Sequence, residues 1–223
     1  MRFVRHNGLS IFFLAIFLAS LAGQAIAGHG SFNHDQLLHH GDPISLGRYL
    51  TTSEFAADVA ENWQSEYLQF TLYIFGTVWL LQRGSPESKP LDKAGGESDS
   101  DQKIGQYATA DSPGWARVGG LRTRLYSNSL LIVMGTIFLL SWLGQSITGR
   151  VAYNAEQFDH QQAALGWLQY VATPDFWNRT LQNWQSEFLA IGSMAVLSIY
   201  LRQRGSPESK PVGAPHESTA LEG

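Results

Sequence analysis

Asn62-Trp63-Gln64-Ser65-Glu66 decides how the chain is read, because Asn183-Trp184-Gln185-Ser186-Glu187 repeats it unchanged 121 residues later. Each copy opens an apolar segment that runs into the same octapeptide, Arg83 to Pro90 and then Arg204 to Pro211. At that offset residues 7–90 align with 128–211 without a gap, and 33 of the 84 positions are identical. Similarity at a fixed offset marks two copies of one supersecondary unit. Each unit reads as a helix, a polar loop with an amphipathic stretch, and a second helix. The expected fold is all-α: a four-span transmembrane helical protein built from two tandem parallel two-helix repeats with partly helical outer loops. The spans fall at about 9–28, 62–82, 127–149 and 183–202.

The domain boundaries follow from the repeat. A first two-helix membrane repeat takes 1–90, a flexible cytoplasmic linker 91–123, a second repeat 124–211 and a disordered tail 212–223. The linker contains Gly95-Gly96-Glu97-Ser98-Asp99-Ser100-Asp101, too polar and too poor in apolar residues to build a core.

Composition narrows the function classes. A net charge of -4 and the lack of a basic stripe exclude nucleic acid as a partner. With no cysteine there are no disulfides, thiolate metal sites or Cys nucleophiles. The apolar residues are clumped, and several of the seven Trp stand near the ends of the clumps, as interfacial anchors do. The expected partner is the lipid bilayer, with a homo-oligomer or another membrane protein left open.

The amino-terminal run Leu9 to Ala27, preceded by Arg2 and Arg5, has the form of a cleavable signal peptide. It also aligns with an internal apolar segment at Leu130, which favours a retained helix. Most Lys and Arg lie at the amino end, in the linker and in the tail, so both termini are expected in the cytoplasm of a multi-pass inner (plasma) membrane protein. Two spans per unit make the units parallel, related by an axis along the membrane normal. In the outer loops Thr52 and Thr173 are placed as N-caps, Pro174 as the first helical residue, and Glu54 and Asp175 in first turns. Asn154 to Val171 is expected to add an interfacial helix.

Two readings of the repeated pentapeptide stand side by side. In one, Asn, Gln and Glu are interface residues and Trp63 and Trp184 belt anchors. In the other, Asn62 and Glu66 share a helix face, as do Asn183 and Glu187, with Ser65 and Ser186 beside it, and the acids hold a proton or cation. Ser20, Gln24 and Gly28 recur as Ser141, Gln145 and Gly149, a stripe at intervals of four that suits helix packing. If Gln24 meets Glu66 and Gln145 meets Glu187, the stripe belongs to the polar site too.

Histidines crowd the first outer loop at 29, 34, 39 and 40, whereas the second keeps only His160, the counterpart of His39. Solvated loop histidines are the plain reading. A metal or haem bound by His39 and His160 is the weaker alternative. The octapeptide reads as a helix stop, with Arg83 or Arg204 at the helix end and Gly84 or Gly205 as a left-handed cap. That leaves the repetition of Glu87-Ser88-Lys89 without a reason, and a docking or headgroup role open. No nucleotide, zinc-protease or nucleophile-elbow motif occurs, so neither a cofactor nor an enzymatic activity is expected.

Asn62 to Leu68, Asn183 to Leu189, Gly84 to Lys89 and Gly205 to Lys210 together resemble an uncharacterised family of small bacterial integral membrane proteins, a domain of unknown function. The pairs Tyr49-Leu50 and Tyr170-Val171, with Phe55 and Phe176, resemble that family's outer loop. The resemblance implies a membrane location and brings no activity, ligand or catalytic residue. The expectation is a non-enzymatic membrane scaffold or envelope component. The alternative is a small transporter or channel component binding a cation or proton at Glu66 and Glu187.

Overall fold

The computed structural model describes residues 2–221, and its regular elements are helices, with no strand among the described residues. In order they are α1 (Arg2–His6), α2 (Gly8–Leu38), α3 (Leu46–Tyr49), α4 (Ser53–Trp79), α5 (Gly114–Arg117), α6 (Gly120–Ser127), α7 (Ser129–Asp159), α8 (Trp167–Val171) and α9 (Pro174–Tyr200). A 3-10 turn, Gly105–Tyr107, lies between α4 and α5. Both α2 and α7 have 31 residues, and both α4 and α9 have 27. The boundaries of α2 and α4 recur 121 positions later in α7 and α9, although the boundary residues differ.

Among the described residues, α2 and α7 alone are helices long and apolar enough to cross a membrane. Little of either is buried inside the protein, 6% of the apolar window of α2 and 11% of that of α7. The other two expected spans are long helices whose apolar stretch is interrupted. Glu54, Asp58, Glu61 and the Asn-Trp-Gln-Ser-Glu motif make the first half of α4 polar, and the second motif does the same in α9.

α2 and α7 also run about ten residues beyond the expected span ends, because nothing after Gly28 or Gly149 breaks a helix. Each stops on a residue with positive φ, His40 at 61° and Gln161 at 56°. There Gly41 N–H closes on Gln36 O at 2.7 Å and Gln162 N–H on Gln157 O at 2.8 Å, the six-to-one bond of a Schellman cap. The expected helix over 154–171 is therefore split into the end of α7 and the short α8. Thr52 and Thr173 cap as expected, accepting from Phe55 N–H at 3.2 Å and Phe176 N–H at 3.3 Å.

The chain divides into two compact units. One takes Met1–Val59 and Gly144–Tyr170, the other Ala60–Leu143 and Val171–Gly223. In the first unit an asparagine ties the loop after α2, and another the loop after α7, back to its helix. Asn33 donates to Ile44 O at 3.0 Å and accepts from Ile44 N–H at 2.8 Å, and Asn154 does the same with Leu165 at the same two distances. One side chain thereby satisfies both backbone groups of a loop residue.

Beyond that tie the buried Tyr49 and Tyr170 lie against glycines. A Cβ on Gly28 would stand 2.3 Å from the Tyr49 hydroxyl, and one on Gly149 2.6 Å from that of Tyr170. The small residue at the end of the Ser-Gln-Gly stripe thus admits a tyrosine from α3 or α8. Ring contacts of Tyr49 with His29, Phe32 and Phe55 complete its packing, at centroid distances of 5.9, 5.6 and 5.4 Å. Burial, then the negative charges of Asp58 and Glu54, push the Tyr49 phenol above its ordinary pKa.

Candidate functional site

The two pentapeptides meet in the second unit. Trp184 donates its indole N–H to Gln64 Oε1 at 2.7 Å, and Asn183 Nδ2 donates to Glu61 Oε1 at 2.7 Å. Arg179 reaches Glu61 at 3.4 Å, and Gln69 Nε2 donates to the main-chain carbonyl of Glu187 at 3.0 Å. Residue numbers rise together along both helices, so α4 and α9 run parallel. The separations of the bonded residues, 118 to 122, bracket the repeat length. Equivalent residues therefore lie at nearly the same level, and the Glu66 and Glu187 carboxyl groups are near enough to interact electrostatically.

The two copies nevertheless use different faces. In α4, Gln64, Ser65 and Leu68 are 0%, 2% and 8% exposed, while Asn62, Trp63 and Glu66 face outward. In α9, Asn183, Trp184 and Glu187 are half-buried, while Gln185 and Ser186 are exposed and Leu189 is 66% exposed. Chemically, the Gln-Ser face of one copy receives the Asn-Trp-Glu face of the other.

Aromatic packing holds the junction. Trp142 from α7 lies 6.0 Å from the Trp184 ring and also touches Phe138, Phe176 and Trp177 at 5.6, 6.2 and 6.1 Å. The Trp184 donor fixes the Gln64 amide with its oxygen toward the indole, since the reverse would set donor against donor.

Gln24 is half-buried and Gln145 buried, both in the first unit, whereas the two pentapeptides lie in the second. His39 caps the end of α2 and His160 follows α7, both exposed. His29 instead bonds inward, its Nε2 2.7 Å from Ile44 O. Among the described residues no group of three or more His, Asp or Glu is placed to hold a metal ion.

Glu61, Gln69 and Trp142 were not singled out in the sequence. Their repeat counterparts are Gln182, Ala190 and Leu21, so a search guided by repetition passes over them. The acid at Glu61, one residue before a repeated Asn on a helix rich in acids, was the available signal.

The structure supplies the missing reason for the repeated octapeptide. Ser88 Oγ accepts from Gln82 N–H at 3.0 Å and donates to Lys89 O at 3.1 Å, and Ser209 does the same with Gln203 and Lys210 at 2.9 and 3.1 Å. Gly84 and Gly205 take φ of 83° and 82° in the turns that Ser85 and Ser206 close onto Gln82 and Gln203. The helices have already ended at Trp79 and Tyr200, so these glycines shape turns and are not helix caps. Arg202, not Arg204, serves the carbonyls at the end of α9, donating to Ile199 O at 3.1 Å and Leu201 O at 2.8 Å. Glu87 accepts from the Tyr73 hydroxyl.

The lysines that close the two octapeptides part company. Lys89 pairs with Glu97 at 3.1 Å and donates to Gly95 O at 2.9 Å. Lys210 is buried, and its ammonium faces four main-chain carbonyls: Gly84 at 2.6 Å, His216 at 2.7 Å, Ser218 at 3.2 Å and Pro215 at 3.4 Å. Burial, then the nearby Arg202 charge, pulls its pKa below the ordinary lysine value. The described part of the tail is thereby held against the first octapeptide, aided by Gly84 N–H donating to Thr219 Oγ1 at 2.9 Å.

A family model described as a domain of unknown function (DUF6766) matches residues 1–221. No curated protein and no solved structure matches the chain.

Proposed function

The chain belongs to this family of unknown function, and from that premise we propose a four-span membrane protein of two tandem parallel repeats that binds a proton or cation at Glu66 and Glu187, as a small transporter or channel component. The observation that carries the reading is the parallel, level pairing of α4 and α9, which brings two like-charged carboxylates together in a helix pair. Two acids at one level of a helix pair offer the oxygen atoms that a proton or a cation needs.

Depth supports the same reading. A 27-residue helix is about 40 Å long at 1.5 Å per residue, enough to cross about 30 Å of hydrocarbon. Glu66 lies 13 residues before Trp79 and Glu187 13 before Tyr200, each about 20 Å from the helix end. With the carboxyl-terminal ends of α4 and α9 taken as the inner boundary, each acid falls about 10 Å inside the outer one, and acids inside spans mark ion and proton paths. Exposed apolar side chains along α2, such as Phe12, Phe13 and Leu14, suit contact with lipid. The Lys and Arg distribution favours an inner-membrane protein with both termini on the cytoplasmic side.

Reconstitution tests the proposal. In vesicles with a trapped pH dye or cation indicator, the protein is expected to dissipate an imposed gradient, and Glu66→Gln with Glu187→Gln is expected to abolish that flux while the helical content stays unchanged. A double variant conducting as well as the parent overturns the ion-binding reading. A protein without flux in either form returns the advantage to a non-enzymatic scaffold.

A further inference from the structure

The two octapeptides build the same turn, and the tail covers the glycine of the first. A Cβ on Gly205 would meet nothing within 4 Å, whereas one on Gly84 would stand 2.5 Å from His216 O and 2.9 Å from Ile199 Cγ2. Lys210 Nζ donates to Gly84 O, Gly84 N–H donates to Thr219 Oγ1, and Ala220 N–H donates to Ser85 O at 3.1 Å. The same short segment also holds the end of α9. His216 Nδ1 lies 3.1 Å from Ile199 O and its ring 5.6 Å from that of Tyr200, while Ala214 O accepts from Arg202 Nη2 at 3.0 Å. Residues 214–220 thus cross from the last turn of α9 to the turn that follows α4.

This crossing is built from polar bonds. Pro215, His216, Glu217 and Ala220 are exposed, as are Val212 and Leu221 at its flanks. A surface segment with little apolar burial opens at low cost. Its anchor is different. Lys210 is buried, closes the second octapeptide, and reaches the carbonyls of Pro215, His216 and Ser218 as well as that of Gly84. A surface segment on a buried anchor can lift and return to one place.

We propose that residues 212–221 form a strap that closes the ion path between α4 and α9 at its inner end, so that flux passes only while the strap is lifted. The inference rests on the reading of α4 and α9 as that path, and adds the device that governs it. Closed, the strap ties Gly84 and Ser85 to Ile199 and fixes the spacing between the exits of the two helices. Lifted, it lets the exits part.

Arg83 and Glu217 form an exposed ion pair at 3.8 Å across the strap, so replacing both costs little. The chain has no native cysteine to compete with an engineered pair. In vesicles with a trapped pH dye or cation indicator, Arg83→Cys with Glu217→Cys is bridged by a short bis-methanethiosulfonate reagent, and the mass of the monomer reports the bridge. Flux is expected to fall to the leak of protein-free vesicles, and dithiothreitol is expected to restore it. Gly84→Ala is expected to carry more flux than Gly205→Ala, because the two glycines share nearly the same φ, 83° and 82°, and the strap lies on Gly84. Equal flux in the bridged and cleaved chains, or in the two alanine variants, overturns the strap. So does a monomer that does not bridge, because its tail is then not seated. In each of these cases the ion path still stands if Glu66→Gln with Glu187→Gln abolishes the flux. If no form conducts, Gly84→Ala included, the ion path falls and the strap falls with it.

Discussion

Leu68 and Leu189 occupy the same place in two copies of one motif, yet the first is 8% exposed and the second 66%. The neighbouring Gln64 and Gln185 differ in the same sense. Identical local sequence gives both segments the same helix, cap and turn, because those depend on residues within a few positions. Burial is decided by what arrives from elsewhere, and only one of the two Gln-Ser faces is met within the chain. The difference teaches that a duplicated sequence can serve one molecule as both key and lock. Truncation breaks the comparison most sharply. Leu68→Ala is expected to destabilise by about 2–4 kcal/mol through the lost apolar contacts and the space left behind. Leu189→Ala is expected to cost under about 0.5 kcal/mol in the isolated chain. Unfolding in detergent checks both, and equal losses would show that the two faces are equivalent after all.

The lysines give a second comparison of the same kind. Lys210→Ala removes the donor that four tail and turn carbonyls share, and stranded acceptors are costly, so a loss of about 2–3 kcal/mol is expected. Lys89→Ala gives up a partly exposed ion pair and one carbonyl contact, about 0.5–1 kcal/mol. Limited proteolysis after residue 211 reads the difference directly, with the Lys210 variant cut much faster. A tail cut at the same rate in both variants would remove the structural role assigned to Lys210.

How much of this was legible follows from range. The caps at Thr52 and Thr173 and the start of α9 at Pro174 could be read because a few adjacent residues fix them. The ends of α2 and α7 could not, since His40 and Gln161 take a positive φ that glycine usually supplies. Nor could the reason for the repeated Ser88 and Ser209, whose hydroxyls act on a residue six positions back. Within the site, repetition drew the eye to Glu66 and Glu187 and away from Glu61 and Gln69. Those two residues have unlike counterparts, Gln182 and Ala190, because the contact they make is one-sided.

Gly28 and Gly149 sharpen the comparison where the copies agree. In a helix, Ala for Gly ordinarily gains up to about 1 kcal/mol. Here the new Cβ would press on a buried tyrosine hydroxyl at 2.3 or 2.6 Å, so each substitution is expected to destabilise by about 1–2 kcal/mol instead. Tyr49→Phe in the Gly28→Ala background, and Tyr170→Phe in the Gly149→Ala background, are expected to recover part of that loss. Thermal unfolding of the double-mutant cycles measures the coupling. Purely additive effects would mean that glycine and tyrosine are placed independently.

The smallest effect concerns Tyr49 alone. Its phenol loses its proton at a higher pH in the folded chain than in the unfolded one, because burial and the charges of Asp58 and Glu54 oppose a phenolate. Above the ordinary tyrosine value of about 10 the unfolded chain releases this proton while the folded chain keeps it. The folded state then binds more protons, and stability must fall as pH rises. The contribution is therefore complete below pH about 10 and disappears as pH climbs through the raised value. Tyr49→Phe removes the ionising group, so its unfolding midpoint is expected to fall less steeply with pH in the alkaline range than that of the parent chain. Parallel slopes would mean that the phenol ionises alike folded and unfolded, and that the tyrosine on Gly28 is not sealed from water.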